Sequence, residues 1–251
     1  MFVLSIGAKA ADGITGIWKF DVPNMIRIED SSGNGWHAVP STAKYAAGAF
    51  GAAMLFDKPG AGFDLPKAVT ALDTGDFSIS FWVCPFEYDT VSKYKMKRML
   101  GVSEYPKRWW NVDMNADGII EMEMGITPDG AEKPVNGGSS SAGKVALKTW
   151  THIVITVDRT NAKTRFYFNG ELNAERPIPA AFAVGSLSLP LPLRVGYTGD
   201  SSFIGLLDEL IISKRIFSAD EIRSAYDGEQ KNRQSAEYTV PPMKRIVIVE
   251  E

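Results

Sequence analysis

Five side chains suited to ligand binding alternate along two short segments, residues 108–114 and 119–124. They are one indole, one amide and three carboxylates: Trp109, Asn111, Asp113, Glu121 and Glu123. The residues between the two segments, Asn115–Gly118, are typical of a type I turn whose last glycine is left-handed. Because side chains alternate between the two faces of a strand, all five are predicted to share one face of a β-hairpin, named here the hairpin face.

The hairpin face is crowded with negative charge. The register that closes the predicted turn places Asp113 opposite Glu121. Asn111 then lies opposite Glu123. Like charges directly opposite each other are unfavourable in a sheet, so this cluster needs solvent, a cation or a polar ligand. An indole beside carboxylates and an amide suits a sugar, which stacks its apolar face on the ring and donates hydroxyl hydrogen bonds to the acids. The alternative is a solvated outer face with one exposed tryptophan.

The two adjacent tryptophans of this segment are predicted to differ in burial. Trp110 shares its side of the strand with Val112 and Met114, so burying it there removes apolar surface from water. Trp109 shares its side with the polar members of the hairpin face, whose burial without partners is costly. We therefore expect Trp110 in the core and Trp109 exposed.

The carboxylates of the hairpin face also fit a hydrolytic alternative. A retaining glycosidase uses two carboxyl groups about 5–5.5 Å apart as acid and nucleophile. The run that starts at Glu121 resembles the E-x-D-x-x-E signature of β-glucanases. It departs from that signature because Glu123 replaces the aspartate and Ile126 replaces the last glutamate. We therefore expect a non-catalytic protein.

The composition narrows the possible partners. The chain of 251 residues has 27 lysines and arginines against 30 aspartates and glutamates, a formal charge of −3. This balance offers no large positive field for nucleic acid. The single cysteine, Cys84, excludes an intrachain disulfide and a cysteine-based zinc or iron–sulfur site. No stretch reaches the roughly 18 apolar residues of a membrane span.

Short β-type segments must position these side chains. They fill residues 15–213, separated by Gly, Pro, Asn and Asp, and predict an all-β, two-sheet antiparallel sandwich. One short C-terminal helix is expected, because Ser218 and Glu221 form a capping box and Gly228 is a typical stop. The Gly- and Ser-rich residues 136–143 are predicted to form a flexible loop.

Seven of these segments, taken in order, resemble a laminin-G-like domain of the concanavalin A-like lectin/glucanase superfamily. They are Ile17–Asp21, Asp30–Gly35, Gly51–Asp57, Phe77–Val83, Trp150–Asp158, Tyr167–Gly170 and Phe203–Leu210. The resemblance implies a jelly roll with one concave sheet. Such domains bind sugars, bind proteins or act as spacers, and some relatives are hydrolases, so the fold alone does not fix the function.

The resemblance also implies a structural Ca²⁺, which relatives often carry. Ca²⁺ takes six to eight oxygen ligands, and the glycine-rich turn Asp30–Gly35 can supply several, with Asp30 and Asn34 as side-chain ligands. Asp208 matches the family aspartate that often completes the site. The alternative is that Asp30 and Asn34 only stabilise the turn through hydrogen bonds to the backbone.

The domain is predicted to span residues 15–228. Residues 1–14 are either a first strand or the remnant of a signal peptide, since Ala8-Lys9-Ala10 resembles a cleavage site. Residues 229–251 are predicted to form a linker and then a β-strand, Lys244–Val249, which has to pair at a distance.

These observations predict a secreted or surface-exposed carbohydrate-binding or adhesion module, non-catalytic, whose partner is a glycan or a surface protein. The first alternative is a structural component of an assembly, on a virion or a cell-surface appendage, in which Lys244–Val249 adds to a neighbour's sheet. The second alternative is a glycoside hydrolase of the β-glucanase type.

Overall fold

The computed structural model of the protein describes residues 13–23, 27–40, 42–90, 92–196, 199 and 201–233. The predicted N-terminal segment, residues 1–14, lies outside this part except for its last two residues. The predicted strand Lys244–Val249 lies wholly outside it. Both remain predictions.

Strands make up nearly all regular structure in the described part of the chain. In chain order, the elements are β1 (Ile14–Trp18), β2 (Val39–Pro40), β3 (Lys44–Ala47), β4 (Ala52–Phe56), β5 (Phe63–Leu65), β6 (Phe77–Pro85), β7 (Met96–Glu104), β8 (Arg108–Asn115), β9 (Ile119–Ile126), β10 (Val135–Asn136), β11 (Ser139–Lys144), β12 (Thr151–Asp158), β13 (Lys163–Phe168), β14 (Glu171–Pro177), β15 (Leu193–Val195), β16 (Gly205–Ser213) and α1 (Ala219–Arg233). The described residues also include two short 3-10 turns that join strands, Lys67–Thr70 and Ala180–Ala183.

The strands form two sheets. The hairpin sheet has the order β10-β9-β8-β7-β15-β5-β2, with β11 also paired to β9. The opposite sheet has the order β14-β13-β12-β6-β16-β4-β3, with β1 also paired to β16. The ladders within both sheets are antiparallel, so the predicted all-β sandwich is confirmed.

The main hydrophobic core lies between the two sheets. In β8, Trp110 and Val112 point into it, and in β6 Phe77 and Phe81 do the same. Trp110 meets Phe77 with ring centroids 6.2 Å apart. Because the core takes every second residue of β8, the residues between them face away from the core, and these residues form the hairpin face.

Helix α1 begins as the sequence predicts and ends later than predicted. The Glu221 amide donates to the Ser218 hydroxyl at 3.2 Å, and the Ser218 amide donates to the Glu221 carboxylate at 2.8 Å, which completes the capping box. The expected stop at Gly228 is wrong, since the helix continues to Arg233. Glycine costs only about 1 kcal/mol in a helix. The next residue, Glu229, accepts a hydrogen bond from the Trp82 indole at 2.7 Å, which accounts for the continuation.

The predicted flexible loop over residues 136–143 is largely strand. Ser139–Lys144 form β11, which pairs with β9 through Ser139 opposite Met122 and Ser140 opposite Glu121. Serine and glycine have weak strand propensity, so this strand depends on its ladder to β9 rather than on its own composition. As a result, this segment forms one wall beside the hairpin face.

Candidate functional site

The β8–β9 hairpin has the register that the sequence predicts. Asp113 lies opposite Glu121, and Asn111 lies opposite Glu123. Trp109 lies opposite Gly125. The structure therefore brings all five predicted binding residues onto one face of the hairpin sheet.

The two tryptophans divide as predicted. Trp110 is fully buried in the core. Trp109 is partly exposed on the other side of the strand. This difference follows from the alternation of side chains along β8.

Trp109 lies flat across its cross-strand partner. A Cβ atom built on Gly125 would come within 2.0–2.2 Å of three indole carbons of Trp109, so the six-membered ring covers this glycine. The backbone φ of Gly125 is not positive, so its conformation does not require glycine. Its small size is needed only because the Trp109 ring lies against it. The Tyr105 ring lies 5.2 Å from the Trp109 ring, centroid to centroid, and is well exposed. The two rings are inclined by 50° to each other, and together they are named here the aromatic platform.

The floor of the site includes a residue that the sequence analysis missed. Arg98 of β7 lies opposite Asp113 and donates to it twice, from Nε to Oδ1 at 2.9 Å and from Nη2 to Oδ2 at 3.2 Å. Such a two-pronged contact is the strongest geometry for a carboxylate–guanidinium pair. It explains why Asp113 is fully buried, although the sequence analysis expected the polar members of the hairpin face to avoid burial. Burial raises the pKa of Asp113 to about 6, against the lowering effect of Arg98.

Asn111 extends this floor. With both ends of its amide satisfied, Asn111 donates to the Trp110 carbonyl at 2.9 Å and accepts from Arg98 Nη2 at 3.1 Å. Its cross-strand neighbour on β7 is Gly101, where an added Cβ would lie 2.7 Å from the Asn111 amide and 2.8 Å from the Arg98 side chain. Glycine at this position lets the two polar side chains lie over the sheet.

The two glutamates of β9 are less buried than Asp113. Glu121 accepts a hydrogen bond from Asn115 at 2.9 Å, and partial burial raises its pKa. The Glu123 side chain is 36% exposed and lies 4.0 Å from Arg98 Nη2. The acids of the hairpin face are therefore accommodated by Arg98 on one side and by openness to solvent on the other.

A groove runs over the hairpin face. Its larger part has a volume of about 580 Å³, and its lining includes Tyr94, Tyr105, Trp109, Arg98, Asn111 and Glu123. A smaller part of about 260 Å³ is lined by Glu121, Glu123, Gly138, Ser139 and Ser140. Glu123 and Gly138 line both parts, so the two are adjacent. The groove thus has an aromatic end and an acidic end.

The residues predicted to bind calcium are placed in two different surroundings. Both carboxylate oxygens of Asp30 accept hydrogen bonds, from the Ile17 and Ser32 amides to Oδ1 and from the Ser32 hydroxyl and Trp36 amide to Oδ2. Asn34 donates to two carbonyls of β1. These contacts are the ones expected of residues that stabilise a turn.

Asp208 contacts a different segment. It is fully buried in β16 and accepts hydrogen bonds from the amides of Phe50 and Glu209. In the described part of the chain, no group of three or more His, Cys, Asp or Glu side chains is arranged to hold a metal ion. Calcium at Asp30, Asn34 and Asp208 stays a prediction.

The fold and its groove define the class of this protein, a concanavalin A-like β-sandwich with a cleft on one sheet. The chain belongs to the concanavalin A-like lectin/glucanases superfamily, since the laminin-G model of that superfamily matches residues 57–223. The predicted resemblance is confirmed. A comparison with curated protein sequences found no match. No helix in the described residues has the length and apolar character needed to cross a membrane.

Three solved structures illustrate the likeness in fold. Domain 4 of AbnA, a GH43 extracellular arabinanase from Geobacillus stearothermophilus in complex with arabinotriose, is 22% identical with a TM-score of 0.60. The binding domain of Paraclostridial Mosquitocidal Protein 1 is 16% identical with a TM-score of 0.66. The binding domain of Botulinum neurotoxin DC in complex with SialylT is 13% identical with a TM-score of 0.61.

The extent of the match differs among these structures. The arabinanase domain matches over 85% of this chain and 98% of its own length. The two toxin domains match over 85% and 87% of this chain but only 52% of their own length. The chain therefore corresponds to one whole arabinanase domain and to about half of each toxin binding domain.

Proposed function

We propose that this protein is a non-catalytic carbohydrate-binding module and that the groove on the hairpin sheet is its glycan site. The observation that carries the proposal is the indole of Trp109, held flat over Gly125 beside the exposed Tyr105 and above a polar floor. A flat, partly exposed aromatic ring stacks on the apolar face of a sugar. Acceptors and donors placed around such a ring fix the orientation of the bound molecule.

The floor supplies that polar frame in a fixed form. Arg98, Asn111 and Asp113 are joined by hydrogen bonds, so their positions do not depend on the ligand. A preformed frame reduces the ordering cost of binding. Glu123 and Glu121 add carboxylate oxygens that accept hydrogen bonds from hydroxyl groups.

The polar floor supports binding better than it supports hydrolysis. A retaining glycosidase needs two carboxyl groups that can reach the scissile bond. Asp113 is fully buried beneath Arg98, which leaves Glu121 and Glu123 as the acids that line the groove. They are two residues apart on the same face of one strand, so both would lie on one side of a bound sugar instead of flanking its scissile bond.

The compared structures agree with this proposal. The arabinanase domain was solved with arabinotriose and one neurotoxin domain with SialylT. The arabinanase is an extracellular enzyme, and this supports the proposal of a secreted or surface location for the module. The proposed role there is adhesion to a glycan-bearing surface.

Trp109 provides the direct test. Glycan-array screening followed by calorimetry on the best ligand should show binding by the wild-type protein. Trp109→Ala should weaken binding about tenfold, or about 1.4 kcal/mol, because it removes the ring on which the sugar stacks. Trp109→Phe should retain part of the affinity, and the melting temperature should change little in both variants.

Two further variants make this test specific. Gly125→Ala should also weaken binding, since the added methyl group displaces the indole without removing it. Leu172→Ala, an exposed apolar position on the opposite sheet, is the matched control and should bind as the wild type does. The absence of binding to any glycan, or wild-type binding by Trp109→Ala, would refute the proposed site.

A further inference from the structure

The groove has one charged end, and that charge bears on which sugars it accepts. We propose that the groove selects uncharged sugar chains and rejects glycans that carry a carboxylate, such as sialylated or uronic-acid-containing oligosaccharides. This inference rests on the proposed function and adds a class of ligand to it.

The charged side chains around the groove are mostly acidic. Glu121 and Glu123 line its acidic end, and Asp113 lies in the floor between them and Arg98. Among the described residues that line the two parts of the groove, Arg98 is the only base. Three carboxylates against one guanidinium leave the site with a negative balance.

Arg98 is already committed to groups of the protein. Its Nε and Nη2 donate to Asp113, and its Nη2 also lies 3.1 Å from the Asn111 amide oxygen and 4.0 Å from Glu123. Only 18% of its side chain is exposed. An acidic sugar would compete with Asp113 for this guanidinium, and weakening the pair would leave a fully buried carboxylate poorly compensated.

The position of the glutamates relative to the aromatic platform makes this charge relevant to the ligand. Glu123 lies two residues from Gly125 along β9, or about 7 Å from the point where Trp109 crosses the strand, at about 3.4 Å per residue. Glu121 lies the same distance further on. A glycan chain that runs along β9 from a sugar unit stacked on Trp109 would place its next units over these two carboxylates.

Hydroxyl groups and carboxylates have opposite consequences at that point. A sugar hydroxyl donates a hydrogen bond to a glutamate oxygen. A carboxylate on the sugar is instead repelled by the glutamates, which carry the same charge. This repulsion disfavours the acidic glycan more strongly than the hydroxyl contacts favour the neutral one. The serine hydroxyls of β11, at Ser139 and Ser140, complete an end of the groove suited to uncharged polar groups.

The experiment compares matched pairs of glycans. A glycan array carries neutral oligosaccharides, arabinotriose among them, and oligosaccharides that contain a sialic or uronic acid. The affinities of the best neutral ligand and of its acidic counterpart are then measured by titration. The neutral member should bind at least about tenfold more tightly at low salt. The ratio should shrink at high salt, because exposed charges are screened.

Glutamate variants test whether charge causes the difference. We expect a smaller ratio of neutral to acidic glycan affinity in Glu123→Gln and in the double variant Glu121→Gln/Glu123→Gln, because both should bind the acidic glycan more tightly than the wild type does. Glu171→Gln on the opposite sheet, an exposed glutamate paired with Arg223, is the matched control and should leave the ratio unchanged. Melting curves of all variants verify the fold.

The outcomes separate the two proposals. Equal or tighter binding of the acidic glycan would overturn the charge selectivity and leave the glycan site intact. A neutral preference that persists unchanged in the double glutamine variant would overturn the electrostatic origin. Failure of every glycan to bind would refute the proposed function and this inference with it.

Discussion

Trp110 and Trp109 are adjacent in sequence and have different roles, because one belongs to the core and the other to the groove. Trp110 is fully buried and packs on Phe77. Trp110→Ala should lower the free energy of unfolding by about 3–5 kcal/mol, as large core truncations do. Trp109→Ala should cost no more than about 1 kcal/mol. Urea denaturation of both variants measures the difference, and equal losses would show that Trp109 also carries core packing.

Asp113 depends on Arg98 for its partner, and this dependence predicts a pH effect. The pKa of Asp113 is raised from 3.8 to about 6 by burial, and Arg98→Met should raise it further by removing two hydrogen bonds. A carboxyl group whose pKa is higher in the folded state stabilises the fold below its ordinary pKa, and this contribution is lost as pH rises through the folded-state value. The variant should therefore approach wild-type stability near pH 4 and lose about 3 kcal/mol relative to wild type by pH 8.

Chemical denaturation at a series of pH values tests this dependence. Arg223→Met, which removes an exposed arginine of α1, is the control and should show no comparable trend. A constant difference between Arg98→Met and wild type from pH 4 to 8 would contradict the role assigned to the pair.

The face of each β8 and β9 residue could be predicted from the sequence, but Arg98 could not. Arg98 and Leu100 are two residues apart, so a regular strand would place them on the same face. A bulge between them puts Arg98 opposite Asp113 and Leu100 opposite Val112 in the core. An inserted residue of this kind leaves no periodic signal in the sequence, so the alternation of side chains does not predict the face of Arg98 in β7.

At the scale of elements, the turn after Asp30 shows how one carboxylate holds a connection. Asp30 accepts four hydrogen bonds from three residues, Ile17, Ser32 and Trp36. Asp30→Ala should cost about 1–3 kcal/mol, because it leaves buried donors without an acceptor. Thermal melts measure this loss.

The same melts test the calcium prediction. If hydrogen bonds alone hold the turn, the wild-type melting temperature should be equal in chelator and in calcium. A fall in chelator that calcium reverses, absent in Asp208→Asn, would instead support a bound ion, since a ligand of the native state raises stability by RT ln(1 + [L]/Kd).

The contact between β16 and α1 predicts a second pH effect. Burial raises the pKa of Glu209 to about 8 and that of Glu229 to about 7, with Asp21 and Asp208 nearby and Lys19 as a neighbouring cation. These raised values favour folding at low pH, and the benefit is lost as pH rises through about 7–8. Glu209→Gln should therefore raise the melting temperature at pH 9 and leave it nearly unchanged at pH 5.

Differential scanning calorimetry at the two pH values measures the shift, at about 2–4 °C per kcal/mol for a protein of this size. Glu171→Gln again serves as the exposed control. A Glu209→Gln variant that is less stable than wild type at pH 9 would show that Glu209 is held as an ion by Lys19.

The start of α1 was predictable and its end was not, for a physical reason. The capping box depends on residues three apart, Ser218 and Glu221, so it is visible in the sequence. The last turn depends on Glu229 and Trp82, which lie 147 residues apart in the chain. Local signals at Gly228 therefore could not reveal the contact that carries the helix past it.

In the whole molecule, the two sheets have different surroundings. In the opposite sheet, the central strand β6 is buried along its whole length, by the core on one side and, on the other, by Phe50 and by Tyr226 of α1, whose rings pack on Trp82. The hairpin sheet shares the core but leaves the groove open on its other face. This asymmetry separates residues that stabilise the fold from those placed to bind, so partly exposed groove side chains such as Trp109 and Glu123 can be substituted with little loss of stability.

The C-terminal boundary of the folded unit can be tested with three chain lengths. A chain that ends at Arg233 keeps all of α1, whereas one that ends at Gly228 lacks Glu229 and its 2.7 Å contact with the Trp82 indole. Hydrogen bonds to charged groups contribute about 1.5–3 kcal/mol. The chain ending at Gly228 should therefore melt about 3–12 °C below the one ending at Arg233, and the latter should melt close to the full chain.

The same three chains test the assembly alternative. Light scattering over a range of concentrations should give the same mass per particle for the full chain and the chain ending at Arg233 if the module acts alone. An oligomer formed only by the full chain would support pairing through Lys244–Val249, since a free strand can extend the sheet of a neighbour. Equal melting of the chains ending at Gly228 and Arg233 would instead show that the predicted domain boundary at residue 228 is correct and that the last turn of α1 adds nothing to stability.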